Sequence, residues 1–188
     1  MLATTPAIAA GSLGANPQPT LTAEGGLILR PWKPADVEAF LGAYRDPAIQ
    51  RWHTYRPDSA QDVLEWFTQY EQDWKRESGG HWAVTSAGGE VLGRLAMRRW
   101  NFSDGNGGCA YWVLPQARGA GVAPRALTAL TSWAFGVGFH RLELSHSTHN
   151  MPSCRVAEKA GYVHEGTRRS SAIHEDGRHD MHLHARIR

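Results

Sequence analysis

The stretch Tyr111-Trp112-Val113-Leu114-Pro115-Gln116-Ala117-Arg118-Gly119-Ala120-Gly121-Val122-Ala123 changes character in its middle. Ala110 to Leu114 reads as a strand, and Gln116 to Gly121 as a glycine-bearing loop. A helix follows, with Leu127, Leu130, Trp133, Ala134 and Val137 at helical spacing. The first N–H groups of such a helix have no internal partners and lie at the positive end of its dipole. Gly119 and Gly121 lack Cβ atoms, so a ligand can approach the backbone closely. Together these features form an anion seat suited to a pyrophosphate, to which Arg118 and Arg125 can add charge. The loop is not a P-loop, because no Gly-Lys-Ser/Thr follows it. It is not the dinucleotide fingerprint either, because the third glycine and a repeated βαβ frame are missing. On this pattern alone, a glycine loop that merely enters a helix is an equal reading.

Upstream, Leu27-Ile28-Leu29-Arg30 reads as a strand. Pro34-Ala35-Asp36 opens a helix carrying Val37, Phe40, Leu41 and Tyr44, which Asp46-Pro47 ends. Asp58 or Ser59 caps a second helix, where Val63, Trp66, Phe67, Tyr70 and Trp74 recur at helical spacing until Gly79-Gly80. His81 to Val84 and Val91 to Trp100 are strands around a turn at Ala87 to Glu90. Downstream come a strand at Leu142-Glu143-Leu144, a helix from Asn150 to Ala160 closed by Gly161, and strands at Tyr162-Val163 and Met181 to Ile187. The order β-α-α-β-β-β-α-β-α-β-β describes an α+β domain with a mixed sheet. Residues 1–24 are rich in Ala, Thr, Gly and Pro with one charge, Glu24, and read as a flexible leader ahead of a domain at 25–188.

The 188 residues suit one domain. A net charge of +2 with no dense Lys/Arg run argues against a nucleic-acid track and fits an anionic ligand. Cys109 and Cys154 are too few for a disulfide framework and read as reduced thiols. No apolar stretch approaches the roughly 20 residues that span a membrane, and no basic segment precedes an apolar one as in a secretory signal. A cytoplasmic protein, monomeric or homodimeric, without membrane or nucleic-acid partners is expected.

About thirty residues beyond the loop stands Asn150-Met151-Pro152-Ser153-Cys154-Arg155-Val156-Ala157-Glu158-Lys159-Ala160-Gly161-Tyr162, followed by Glu165-Gly166. The loop resembles the Gln/Arg-x-x-Gly-x-Gly/Ala motif of GNAT N-acetyltransferases. The second block resembles their Asn-x-x-Ser-x-x-x-x-Glu-Lys-x-Gly-Phe segment, with Tyr162 in place of Phe. Leu27 to Trp32 also looks like the family's first strand, so the resemblance covers about residues 27–187. It is nearest to the branch that acetylates the N-termini of ribosomal proteins. The resemblance implies a mostly antiparallel sheet flanked by helices and splayed between the fourth and fifth strands, here 110–114 and 142–144. It implies acetyl-CoA as cosubstrate, held by Val113, Gln116, Arg118, Gly119, Ala120, Gly121, Val122 and Ala123, with Asn150 beside the pantetheine arm. It makes Ser153 the proton donor to the departing thiolate. Asn150 also suits an N-cap, with Ser153 at N3.

Direct attack by an amine requires loss of a proton, a donor to the carbonyl oxygen and a proton for the thiolate. By resemblance the donor is the Val113 N–H or a neighbour. The glutamate that related N-terminal acetyltransferases carry after Glu-Gly is absent, since Ser171-Ala172-Ile173 stand there. Candidate bases are Glu143, His146, His174 and Glu175, with a water chain as the alternative. Cys109 reads as a core thiol. Trp66, Phe67, Tyr70 and Trp74 read as one buried helix face, and Trp32, Trp52 and Tyr55 as candidate walls of the acceptor site. The acceptor is either a protein N-terminus or a small-molecule amine. Two rival readings remain: a GNAT-fold sensor that binds acyl-CoA without turnover, and a metal protein built on His174, His179, His182 and His184. The latter lacks a compelling ligand spacing, and no metal is expected.

Overall fold

The computed structural model describes residues 5–188. The chain runs through β1 (Leu21–Ala23), β2 (Leu27–Pro31), α1 (Val37–Ala43), α2 (Pro47–Trp52) and α3 (Ala60–Lys75). Then come β3 (Gly79–Thr85), β4 (Val91–Asn101), β5 (Asn106–Val113), α4 (Val122–Gly136), β6 (Arg141–Ser147), α5 (Met151–Lys159), β7 (Val163–His174) and β8 (Gly177–Ile187). The strands form one sheet in the order β1-β2-β3-β4-β5-β6-β8-β7. Every neighbouring pair is antiparallel except β5 and β6. The fold is therefore the α+β, mostly antiparallel arrangement expected.

Helices cover both faces, and the sheet residues alternate between them. Ala83 joins Trp32, Phe40, Phe67 and Trp112 in a core under α1 and α3, while its neighbours Trp82 and Val84 join Leu127, Leu130 and Phe139 under α4. β3 is accordingly buried along its whole length, as a strand covered on both faces must be. Ser59 caps α3: its Oγ accepts from Asp62 N–H at 3.1 Å while the Asp62 carboxylate accepts from Ser59 N–H at 3.0 Å.

Two sequence expectations are corrected. Asp46-Pro47 ends α1 but also starts α2, because Asp46 Oδ1 accepts from Ile49 N–H at 2.9 Å and Pro47 takes the first-turn place where a missing N–H costs nothing. The second correction concerns residues 5–24, which are not a free leader. Ile8 and Leu13 are buried in the α4-side core, and Leu21 to Ala23 add the edge strand β1. The indole N–H groups of Trp74 and Trp82 donate to the Asn16 and Pro19 carbonyls at 2.7 and 2.9 Å. The Glu77 carboxylate accepts from the N–H groups of Gly11, Leu13 and Gly14 at 2.6, 2.8 and 2.9 Å. Partial burial opposes the Glu77 charge, but these donors hold its carboxyl below the usual range. The segment shows no apolar period because it packs as irregular chain, satisfying buried indoles with main-chain carbonyls.

Removing residues 1–24 strips both indoles of their acceptors, at about 1–3 kcal/mol each, and exposes core beneath Ile8 and Leu13. The truncated chain is expected to melt about 10 °C or more below the full chain, measured by circular dichroism. An unchanged melting temperature would show that the segment adds no stability.

Candidate active site

β5 and β6 pair only from Asn106↔Arg141 to Cys109↔Leu144, and beyond that point they diverge. Leu114 N–H donates to Leu92 O at 2.9 Å. Amide direction alternates along a strand, so Trp112 also faces β4, whereas Tyr111 and Val113 direct their main-chain groups into the gap. The Val113 carbonyl accepts there from Arg118 Nε at 3.2 Å. A parallel pair that separates midway thus leaves the peptide groups of Tyr111 and Val113 without a ladder.

A cleft of about 500 Å³ opens from this gap. Val113, Arg118, Gly119, Gly121, Val122 and Ala123 line one side, and Asn150 and Ser153 the other. Gly121 takes φ +72° as the residue before α4, and Gly119 takes φ +79°, conformations in which a Cβ is strained. They turn the first N–H groups of the 15-residue α4 toward the cleft mouth. Gln116 and Ala120 are outside the lining. Arg125 is used elsewhere: its guanidinium donates to the carbonyls of Gly121, Ala120 and Glu24 at 3.1, 2.9 and 3.0 Å, so it staples the loop to the start of the domain. Arg118 pairs with Asp46 at 2.6 Å and holds that carboxyl below its usual range.

Asn150 caps a helix and also lines the cleft. Its Oδ1 accepts from Ser153 N–H at 3.2 Å, capping α5, and its side lines the cleft. Ser153 Oγ lies 2.8 Å from the Tyr111 hydroxyl, whose pKa burial pushes up to about 12 although Ser153 opposes the shift. The two hydroxyls form a hydrogen-bonded pair in the lining of the cleft. The Cys109 thiol, deeply buried and pushed up to about 12 by desolvation, faces Tyr162 as a core group.

A second cavity, of about 650 Å³, adjoins the first, and Trp52 and His53 line both. Tyr44, Trp66 and Tyr70 give it aromatic walls, and Arg94 and Arg98 give it charge. Buried Arg94 lies 3.0 Å through Nη2 from His81 Nδ1, while its Nε has no hydrogen-bond partner. Burial pushes His81 down to about 4 against the pull of Asp73, so it is neutral and its Nδ1 can accept from Arg94, whose guanidinium also lies 5.4 Å from the Tyr70 ring centre; Asp73, 3.3 Å from His81 Nε2, is the carboxylate of this lining. His53 is likewise pushed down to about 4, by burial and then by the charge of Arg94, while a hydrogen bond to the Tyr111 main chain opposes the shift.

The expected bases are placed elsewhere. Glu143 is held by Arg141 at 3.0 Å and faces Arg168, in an ion-pair group that also takes in Glu165. Glu175 pairs with Arg56 at the surface. His146 is buried beneath α5 with Nδ1 2.9 Å from the Ser147 carbonyl, and burial pushes its pKa down. His174 lies against Trp52 and His179. None of the four lines either cavity. Trp32, stacked on Phe67 at 5.2 Å, is core. Trp66 and Tyr70 line the second cavity, whereas Phe67 and Trp74 are buried in the cores. Sequence reasoning missed His53, Tyr111 as a hydroxyl, and the basic pair Arg155 and Lys159 at the cleft. The i, i+4 spacing of that pair, on the face of α5 that carries Pro152 and Val156, was a usable signal.

A family model described as an acetyltransferase (GNAT) domain matches residues 26–163. The chain belongs to this family, and it is an acyl-CoA-dependent N-acetyltransferase that uses acetyl-CoA as cosubstrate. Among solved structures it is similar to RimL, a ribosomal L7/L12 α-N-protein acetyltransferase in complex with coenzyme A. The TM-score is 0.81 and the identity 19%, over 90% of this chain and 98% of that one. RimJ from Mycobacterium smegmatis, in complex with a CoA-disulfide, matches at TM-score 0.80 and 21% identity, over 90% and 86% of the two chains. The microcin C7 self-immunity acetyltransferase MccE, in complex with acetyl-CoA and AMP, matches at TM-score 0.79 and 14% identity, over 88% and 94%. No curated protein matches the chain in sequence. Among the described residues, no helix is long and apolar enough to cross a membrane.

Gly121→Asp places strain and negative charge at the start of α4. Acetyl-CoA affinity is expected to fall at least about tenfold, a loss of roughly 1.4 kcal/mol, measured by calorimetry. Wild-type affinity in this variant would remove the loop from the coenzyme site.

Proposed function

We propose that the chain moves the acetyl group of acetyl-CoA onto a primary amine seated in the second cavity, and that the amine belongs to a molecule carrying a carboxylate or phosphate. The observation that supports this most is the meeting of the two cavities at His53, beside the Tyr111–Val113 edge. The thioester lies along that edge, and the Val113 N–H donates to its carbonyl oxygen as charge develops. The phosphates rest on the start of α4, with Arg155 and Lys159 near. The amine nitrogen bonds to the carbonyl carbon and gives a proton to His53, which is neutral because its environment disfavours its charge. The C–S bond breaks, and the leaving sulfur takes the Ser153 hydroxyl proton, which Tyr111 replaces; the proton that His53 took returns to Tyr111 through solvent, which restores both groups. A turnover relay and an acceptor cavity favour an enzyme over a sensor. The acceptor is a protein N-terminus or a small amine. An α-amine, with a reference pKa near 8, needs less help from a weak base than a lysine near 10.4. Two buried free thiols fit a reducing compartment, and we place the reaction in the cytoplasm.

A panel of amine acceptors, with and without a carboxylate or phosphate near the amine, tests this reading through thiol release. Ser153→Ala is expected to lower kcat about 10- to 1000-fold with little change in coenzyme affinity, and His53→Gln to lower it within the same range. Because His53 is held near 4, the rise of kcat/KM with pH should follow the acceptor amine and show no step near 6.5. Unchanged turnover in folded Ser153→Ala removes its acid role. Arg94→Gln is expected to raise KM for anionic acceptors about tenfold or more and to leave neutral ones unchanged. An equal effect on both removes the anion preference.

A further inference from the structure

Beneath α5, on the side away from both cavities, four side chains from three elements converge. His146 comes from β6, His182 and His184 from β8, and Cys154 from α5. One ligand atom of each lies within 4.8 Å of every other. The strand register produces the cluster: His146 stands opposite His182, and residues 182 and 184 share a face of β8. Cys154 descends onto that face with its Sγ 3.6 Å from His184 Nε2. His184 is fully buried, and His146 and Cys154 are nearly so.

As packed side chains alone, these groups are poorly satisfied. His146 Nε2 and His182 Nδ1 are buried without a hydrogen-bond partner, and such atoms keep the full penalty of leaving water. Two orphan imidazole nitrogens beside a thiol are not how a core is normally closed. His146 also shows the support typical of a metal ligand: its Nδ1–H donates to the Ser147 carbonyl at 2.9 Å, which fixes the tautomer and leaves Nε2 as a lone-pair donor.

We propose that His146, Cys154, His182 and His184 bind one zinc ion in a closed tetrahedral site that pins α5 to β6 and β8. Zinc bonds of about 2.3 Å to sulfur and 2.0–2.1 Å to nitrogen set a tetrahedral S···N edge of roughly 3.5 Å, and the Cys154–His184 separation already matches it. The widest pair must close by on the order of 1 Å to reach such an edge, a movement that half-buried His182 can supply by side-chain rotation. One thiolate with three imidazoles suits zinc among the first-row ions, and four protein ligands leave no open position for catalysis. Binding displaces the Cys154 proton, for which Glu158 Oε1, 3.6 Å from Sγ, is an acceptor. The site serves structure: Cys154 follows Ser153 directly, so the ion would fix the helical turn that presents the Ser153 hydroxyl.

The test uses the tag-free full chain, stripped with a chelator, reloaded with zinc and passed through gel filtration. One zinc per chain by elemental analysis and a higher melting temperature than the stripped protein are expected. Cobalt in place of zinc should give intense d–d bands of tetrahedral coordination and a thiolate-to-cobalt charge-transfer band. Cys154→Ser should abolish the charge-transfer band. His182→Gln, at a half-buried position, should lower the metal retained, and it keeps the test open if Cys154→Ser fails to fold. No zinc retained by the folded wild-type chain overturns the site, as does a cobalt spectrum lacking the thiolate band or one that Cys154→Ser leaves unchanged.

Discussion

The separation of β5 from β6 past Cys109 and Leu144 is the constraint on which the rest of the molecule depends. A parallel pair joined by α4 is the one place in this sheet where neighbouring strands are not also tied through an antiparallel ladder. Once the pair opens, the main chain at Tyr111 and Val113 must find other partners, and the chain supplies Arg118 from the loop beyond and His53 from the end of α2. The cleft is therefore lined by backbone that has left its ladder, a polar surface suited to holding a polar chain. α4 and α5 then stand on either side of the opening because each directly adjoins one of the two strands: α4 follows β5 and α5 follows β6.

Arginine does much of the fastening around this opening. Arg125 holds three carbonyls of the loop and the domain start, and Arg118 joins the loop to Asp46. Both would be assigned to phosphate by charge alone. Their planar, multi-donor heads suit carbonyl clamping equally well. The residues with free charge toward the cavities are Arg155 and Lys159 on α5 and Arg94 and Arg98 on β4.

What could be read from the sequence follows the range of the interactions involved. The strand-loop-helix at 111–123 and the Asn150–Gly161 helix are local patterns, and their residues line one cleft together. Caps are local as well, so Ser59 and Asn150 were legible, and Asp46-Pro47 would have been had proline been read as a start as well as a stop. His53 was not legible as a cavity residue, because it owes its place to a main-chain contact with Tyr111, 58 residues away, and to burial between two cavities. Glu143 was misleading although its partner is local: Arg141 stands two residues away on the same face of β6, opposite to that of His146. Residues 5–24 defeated a composition argument because their partners are the edges of tryptophans more than fifty residues on.

Asp46 gives the two cavities a common hinge. Its carboxylate caps α2 through Ile49 N–H and at the same time pairs with Arg118 in the loop at the start of α4. The last turn of α2 carries Trp52, and His53 follows it; these two are the wall between the cavities. A ligand phosphate that draws Arg118 away leaves that cap with one partner fewer. The wall would then feel the coenzyme through a single shared anion, with no domain motion. Linkage makes such an effect mutual: whatever free energy coenzyme binding lends to the acceptor side, acceptor binding returns in equal measure. Two substrates that met across such a partition would then sense each other's arrival.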